Sequence, residues 1–244
     1  MFSNIIEFKA NKNYVDLKSQ LPEPIKTNVP EWYKKLKHTL LKRTVKGCIP
    51  FLDTLTTGYL LKLPLDIYIE HNVYNDGVRE SGSKTGLMDS DGFISDLNIN
   101  KGLELHPIPQ LKGSPYVQKN KTLPVNKILN PWTIKTPPGY SCLFVPPLNN
   151  TDDRFSIIPG IVDTDMFPAE INFPYVVNGD KYPVLKTTIE MGTPYVQIIP
   201  FKRESWKMKI SELKELSTLQ NKFSVVLKLF NNYKSRWWSK KSWR

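Results

Sequence analysis

The chain is poor in the residues that build most metal and disulfide sites. Its 244 residues include only 2 cysteines and 3 histidines. Cys48 and Cys142 lie far apart, and His38, His71 and His106 form neither an H-x-D nor an H-x-x-x-H pattern. Because zinc and iron sites draw on clustered Cys and His ligands, we expect no histidine-based metal site. We also expect two free thiols in a reducing compartment.

Long apolar runs are missing as well. No stretch of about 18 consecutive apolar residues is present, which is close to the minimum for a transmembrane helix. The first residues, MFSNIIEFKANKN, lack the basic-then-apolar order of a signal peptide. We therefore predict a protein without a transmembrane segment or signal peptide that stays in, or assembles in, the cytosol.

Positive charge is abundant but unevenly placed. The chain carries a formal net charge of +11. Residues 207–244 hold ten Lys or Arg and two Glu, so +8 of that charge lies in the last 38 residues. The basic character is therefore expected to belong to a C-terminal element and not to the whole surface.

Proline content and short alternating apolar runs predict a mainly β fold. The chain has 20 prolines, a number that favours turns and sheet edges over long helices. Alternation at Tyr59, Leu61 and Leu63 is typical of a strand. The segment NPWTIKTPPGYSCLFV has the pattern of a strand, a Pro-Gly turn and a second strand, which predicts a hairpin. We assign residues 44–205 to one mainly β domain, preceded by an N-terminal arm and short helix over 1–43.

Two helices are predicted outside the β domain. The segment over residues 30–43 places Trp32, Leu36 and Leu40 at four-residue spacing, which gives a short helix one apolar stripe. Between Ile210 and Tyr233, apolar residues recur every three or four positions. This pattern predicts a long amphipathic helix, starting near Ser211, within a basic C-terminal region over 206–244.

The chain ends in SRWWSKKSWR, in which aromatic and basic side chains alternate. The residues concerned are Arg236, Trp237, Trp238, Lys240, Lys241 and Trp243. Such a mixture suits a protein interface, single-stranded nucleic acid or an anionic membrane surface. We favour the protein interface, followed by nucleic acid and then by a membrane surface.

The segment Gly160–Asp165 contains the most suggestive pair of carboxylates. We predict it to be a strand, on which Asp163 and Asp165 would project from the same face. Two carboxylates on one face can bind a divalent metal or act as a base. The alternative is a solvated or lysine-paired strand face, and the residues alone leave both interpretations open.

Three segments in the same order resemble trimeric dUTPases. TPPGYSCLF resembles the turn that introduces their second motif, PGIVDTDMFPAEINF their third motif, and IEMGTPYVQIIPF a later strand. The resemblance covers about 70 residues and implies a β-clip fold, in which Asp163 helps to activate water, with magnesium, and Asp165 is its partner. The remaining candidate substrate-binding residues combine positions matched to this family with the aromatic and basic residues near them. They are Tyr140, Ile171, Phe173, Gln197, Lys202, Arg203 and Trp206.

The chain departs from the dUTPase pattern where that family binds phosphate. Met166 stands where the family has Tyr, PPLNN replaces the Arg-Ser-Gly segment, and Thr193-Pro194 replaces Asp-Arg. The β-clip also occurs in phage head decoration proteins, and the chain looks like uncharacterised proteins of marine-type phages that share the WTIKTPPGYS run. A phosphate-hydrolysing site needs cationic and hydrogen-bonding groups around the developing charge, and their replacement favours a non-enzymatic role.

The leading hypothesis is therefore a viral, phage-type structural or assembly protein without a cofactor. It would act through protein–protein contacts, form a homo-oligomer, and reside in the host cytoplasm or the virion. The first alternative is a nucleotide-binding protein or nucleoside triphosphate pyrophosphohydrolase that uses magnesium. The second is a nucleic-acid-binding protein that uses its basic C-terminal region.

Overall fold

The computed structural model describes residues 4–16, 18–39, 41–73, 82–89, 92–94, 103–106, 108–116, 125–149, 152–212 and 232–244. The protein is mainly β, as predicted. The strands in these ranges are β1 (Glu7–Lys9), β2 (Glu23–Pro24), β3 (Tyr59–Lys62), β4 (Ile67–Asn72), β5 (Gly82–Asp89), β6 (Gly92–Ile94), β7 (Leu103–His106), β8 (Val125–Ile128), β9 (Thr133–Lys135), β10 (Tyr140–Val145), β11 (Phe155–Ile157), β12 (Gly160–Val162), β13 (Phe173–Val177), β14 (Val184–Ile189) and β15 (Pro194–Lys202). The α-helices lying wholly within them are α1 (Lys12–Val15), α2 (Glu31–Lys35), α3 (Ile49–Thr54) and α4 (Asn232–Arg236).

The described strands form four sheets. A five-stranded sheet has the order β12-β10-β15-β3-β2, and two four-stranded sheets have the orders β11-β13-β8-β7 and β14-β4-β5-β6. β1 and β9 pair as a small two-stranded sheet. The pairings of β10 with β12 and β15 are antiparallel, and Cys142 lies opposite both Val162 and Pro200. β12 is therefore an edge strand whose neighbour, β10, lies next to the long strand β15.

The chain divides into two compact units, which are described separately. The first consists of Met1–Glu23 and Tyr59–Lys202 and contains nearly all of the strands. The second consists of Pro24–Gly58 and Arg203–Arg244. This division differs from the three consecutive segments predicted from the sequence, because two segments that are distant along the chain form one unit.

The core of the first unit lies between its sheets. Leu61, Ile69, Ile134 and Ile198 are at most 1% exposed, and each comes from a different strand. Aromatic rings connect the five-stranded sheet to the sheet that contains β13. The Phe144 and Phe173 ring centroids are 5.4 Å apart, and those of Phe173 and Tyr195 are 5.7 Å apart. Burial of such rings supplies a large share of the apolar area that stabilises a domain of this size.

The second unit has its own small aromatic cluster. Tyr33 on α2 is 4% exposed and stacks on Phe51 of α3, with ring centroids 5.9 Å apart. Trp32 meets Phe51 edge to face at 6.1 Å but is itself 40% exposed. Within this unit Ile25 also donates its backbone N–H to the Gly58 carbonyl over 3.1 Å. Tyr33, and not Trp32, is therefore the main buried anchor of α2.

Several local predictions were wrong. The helix expected over residues 30–43 ends at Lys35, because Leu36 is already extended. α3 lies within the range assigned to the mainly β domain, with Pro50 in its first turn. The strands on either side of the Pro138-Gly139 turn do not form a hairpin, since β9 pairs with β1 and β10 pairs with β12 and β15. The turn itself is present, and Gly139 adopts a φ of +83° that favours glycine.

The long C-terminal helix is not supported by the described residues. Residues 203–212 are irregular, and α4 covers only Asn232–Arg236. The rest of the predicted helix, residues 213–231, lies outside the described residues. In the part of the chain that the structure describes, no helix is both long enough and apolar enough to cross a lipid bilayer.

Candidate functional site

The two aspartates of the IVDTD segment do not share a strand face. β12 ends at Val162, and Thr164 to Met166 form a turn. The Asp163 carbonyl accepts backbone hydrogen bonds from Met166 (3.0 Å) and Phe167 (2.9 Å), and these bonds close the turn. The predicted strand over Gly160–Asp165 is therefore wrong in its second half, because the turn reorients the chain before Asp165.

Asp165 is a buried structural residue. It is 8% exposed, and its Oδ2 accepts a hydrogen bond from the Gly139 backbone N–H over 2.8 Å. Its carbonyl accepts a hydrogen bond from the Lys135 ammonium. The carboxylate thus fastens the Pro-Gly turn to the loop after β12. A buried carboxylate that satisfies a backbone donor in this way contributes to stability.

Buried hydroxyl groups extend this contact between the turn and the loop. Thr164 is fully buried, and its Oγ1 lies 2.7 Å from the Thr136 Oγ1. The same Thr164 hydroxyl donates to the Cys142 Sγ over 3.3 Å. Burial raises the pKa of the Cys142 thiol to about 11, so this thiol is protonated at neutral pH. The sequence T-D at 164–165 therefore anchors a loop, a role that residue spacing alone did not indicate.

Asp163 lies in a different environment from Asp165. Its side chain is exposed, and its Oδ1 accepts a hydrogen bond from the Ser141 hydroxyl over 2.6 Å. In the described ranges, no group of three or more His, Cys, Asp or Glu residues is arranged to hold a metal ion. Asp163 therefore presents one exposed carboxylate beside the Ser141 hydroxyl.

Three of the predicted substrate-binding residues are buried in the interior of the first unit. Ile171 and Phe173 are core residues, 8% and 3% exposed. Gln197 is fully buried, and its Oε1 accepts a hydrogen bond from the Leu148 backbone N–H over 2.9 Å. These positions therefore serve packing and loop attachment in this structure.

The other predicted binding residues are more accessible. The Tyr140 hydroxyl accepts a hydrogen bond from the Asn4 side chain over 2.7 Å, and Tyr140 lies opposite Lys202 in the sheet. Tyr140, Lys202 and Asp163 thus lie at one end of the five-stranded sheet. Arg203 and Trp206 belong to the second unit, where both are exposed.

A cavity that sequence reasoning missed lies in the first unit. Its volume is about 190 Å³, and its lining residues are Pro146, Pro147, Asp152, Asp153, Phe155, Ser156, Pro194 and Tyr195. The Arg154 guanidinium donates two hydrogen bonds to the Asp152 carboxylate, over 3.0 and 2.8 Å, and holds the pKa of that carboxyl below its usual range. Tyr195 is 2% exposed, and its hydroxyl has no hydrogen-bond partner among the described residues. Two of the lining residues, Pro146 and Pro147, belong to the PPLNN segment, whose sequence does not itself predict a cavity.

Four apolar residues lie together on one face of the strands β12, β10 and β15. Leu143 lies opposite both Ile161 and Ile199, and Phe201 lies opposite Ser141. Directly opposed residues project from the same face of a sheet, so these four residues form what we call the outer apolar face: Leu143, Ile161, Ile199 and Phe201. Ile161 is 63% exposed, and Met166 and Phe167 in the following loop are 76% and 39% exposed. An apolar surface of this kind at a sheet edge is typical of an interaction site.

The chain matches no protein-family model, no curated protein and no solved structure. A function for it therefore has to follow from its own geometry.

The aromatic and basic tail is partly engaged within the second unit. The Trp238 indole N–H lies 3.1 Å from both oxygens of the Asp53 carboxylate, and the Lys241 ammonium lies 2.7 Å from one of them. Trp237 is 51% exposed, whereas Trp243 is half-buried. Arg236 and Lys240 are exposed. Two of the residues predicted to meet a partner therefore contact α3 of their own unit.

Proposed function

We propose that this protein is a non-catalytic structural or assembly protein that acts through protein–protein contacts and associates with copies of itself. The observation that carries the proposal is the exposed apolar surface around the edge strand β12. Ile161 and Met166 are 63% and 76% exposed on a strand and loop that are otherwise tightly hydrogen-bonded. Covering such residues is worth roughly 25 cal/mol per Å² of apolar area removed from water.

The placement of the aspartates supports a role other than hydrolysis. Asp165 binds the Gly139 amide in the interior, where its position stabilises the fold. Asp163 is hydrogen-bonded to Ser141 at the surface. A phosphate-hydrolysing site needs donors or a metal that meet the developing charge, and Thr193-Pro194 stands where dUTPases carry Asp-Arg. These features favour a protein that keeps dUTPase-like strands but does not hydrolyse nucleotides.

The finer assignments of fold and source are part of the same proposal. The ordered series of dUTPase-like segments supports a β-clip type for the first unit. The β-clip of phage head decoration proteins and the likeness to marine-type phage proteins support a viral protein of the virion or the host cytoplasm. A role in assembly would explain why apolar residues are retained at the surface beside a well-packed core.

The mass of the full chain tests this proposal. Native mass spectrometry and light scattering between 1 and 100 μM should give a defined oligomer, and the protein should be present in purified particles. A panel of nucleoside triphosphates with Mg²⁺ should give no pyrophosphate above that of the Asp163→Asn variant. A stable monomer absent from particles would contradict the proposal, and so would turnover that the Asp163→Asn variant loses.

A further inference from the structure

The segment that follows β15 has the sequence pattern of a strand but belongs to none of the sheets in the described part of the chain. Residues 203–212, which we call the arm, are irregular and exposed throughout. Trp206, Met208 and Ile210 are 88%, 84% and 86% exposed. They occupy every second position, with Lys207 and Lys209 between them. In an extended chain, this alternation places all three apolar side chains on one side and both lysines on the other.

Such high exposure of large apolar side chains at three alternate positions is unusual on the surface of a protein that has no partner bound. Single exposed apolar residues are common on protein surfaces, but a regular series of large ones marks a contact surface. The predicted helix starts near Ser211, so most of the arm precedes it. The residues of the arm have strand periodicity and form no helical turn. A strand of this kind gains stability when its backbone pairs with an open sheet edge and its apolar face is covered.

We infer that the arm pairs with the edge strand β12 of a second copy of the chain and covers its outer apolar face. This inference rests on the proposed function, since it names the partner surface for self-association. β12 pairs only with β10 among the described strands, so its other side is a sheet edge. Ile161, at its centre, is 63% exposed and supplies an apolar neighbour for the arm.

Charge favours β12 over the edge strand β14. Between Ser205 and Ser211 the charged residues of the arm are both lysines. Between Asp163 and Glu170, in the loop after β12, the charged residues are all acidic, and the first and last of them are exposed. β14 is also an edge strand, and its Val184 is 71% exposed, but it carries Lys186. Opposite charges that come close across an interface attract each other, whereas like charges repel.

Cross-linking between two different variants tests the pairing directly. Cys48 is exposed and is replaced by serine in every variant, whereas Cys142 is buried and stays. Full-length Met208→Cys protein, labelled with ¹⁵N, is mixed with unlabelled Ile161→Cys protein and oxidised with diamide. Only dimers of mixed isotope composition, identified by mass, are counted. Val184→Cys is the matched control, because Val184 and Ile161 are similarly exposed on edge strands.

We expect at least ten-fold more mixed dimer from the Met208 and Ile161 pair than from the Met208 and Val184 pair. Replacing Trp206, Met208 and Ile210 together by serine should raise the Kd for self-association at least ten-fold. The melting temperature of the protomer, measured at a concentration where it is monomeric, should change little, because all three side chains are exposed.

The outcomes separate this inference from the proposed function. Self-association without the mixed dimer, or unchanged by the triple serine variant, overturns the arm pairing and leaves assembly through another surface. Absence of self-association contradicts the proposed function itself. Binding of single-stranded RNA or anionic vesicles that depends on the arm, with self-association unaffected, also overturns the pairing and assigns the arm to those partners.

Discussion

The strands β12, β10 and β15 carry apolar residues on both faces, but the apolar residues of the two faces differ in their exposure. On the inner face, Cys142, Phe144 and Ile198 are at most 1% exposed and contact the core. The outer-face residues alternate with the inner-face residues along each strand, and two of them, Ile161 and Phe201, are 63% and 37% exposed. Alternation with a period of two separates these sets, but both are apolar. The contrast shows that an apolar pattern on a strand predicts which residues share a face but not whether the protomer buries that face.

The largest expected effect is on the free energy of unfolding, which should fall more when an inner-face residue is truncated than when an outer-face residue is. Phe144→Ala should lower the free energy of unfolding by about 3–5 kcal/mol, because it removes a ring packed against Phe173 and leaves a cavity. Leu143→Ala, one residue earlier on the outer face, should cost about 1 kcal/mol or less in the protomer. Urea unfolding followed by circular dichroism measures both. Equal losses for the two variants would mean that the protomer already buries its outer face.

The second prediction concerns the two aspartates, since Asp165 is buried and Asp163 is exposed. Asp165→Ala should cost about 2 kcal/mol, since it leaves the Gly139 N–H without its buried acceptor. Asp163→Ala should cost less than about 1 kcal/mol, because water can replace an exposed carboxylate next to Ser141. Chemical denaturation of the two variants at pH 7 provides the comparison. A larger loss for Asp163→Ala would mean that Asp163, and not Asp165, is the residue that holds the turn and the loop together.

Strands could be predicted from the sequence where apolar residues alternate, as they do at Tyr59, Leu61 and Leu63 around β3. Burial alternates strictly in β4 but not in β3, where the consecutive residues Leu60 and Leu61 are both buried. α3 could not be predicted in the same way. Its sequence, IPFLDT, is apolar and short, and its helical form is accompanied by the stacking of Phe51 on Tyr33. That contact joins positions 18 residues apart in the sequence and has no local signature.

Only part of the candidate site was accessible to sequence reasoning. The aspartates were singled out because two carboxylates two residues apart on a strand would share one face, but their relative orientation depended on where the strand ended. Hydrogen bonds from Met166 and Phe167 to the Asp163 carbonyl set that end. The cavity beside Tyr195 brings together residues from three separate segments of the chain. Arrangements of this kind are properties of the packed structure and not of any one segment.

A third, smaller effect is expected at the ion pair beside the cavity. Hydrogen bonds from Arg154 lower the pKa of Asp152 in the folded protein. A lowered folded-state pKa stabilises the protein above the unfolded-state pKa, and this stabilisation is lost as the pH falls through the folded value. Asp152→Asn should therefore cost about 0.5–1 kcal/mol at pH 7 and nothing once Asp152 is protonated in both states. Thermal unfolding of the parent and of Asp152→Asn from pH 7 down to pH 3 should show the two proteins converging.

The smallest expected change in protomer stability comes from Ile161→Lys on the outer face. Because Ile161 is 63% exposed, the substitution should alter the free energy of unfolding by less than about 0.5 kcal/mol. Its effect should appear in association instead, since a lysine at position 161 replaces an apolar contact with a charge that faces the apolar side of the arm. We expect self-association to weaken at least ten-fold by sedimentation equilibrium, whereas Val184→Lys on β14 should leave it unchanged. Equal weakening by both variants would mean that net charge, and not the β12 edge, governs association. A loss of protomer stability in Ile161→Lys would instead place Ile161 within the fold and remove the contrast between the two faces.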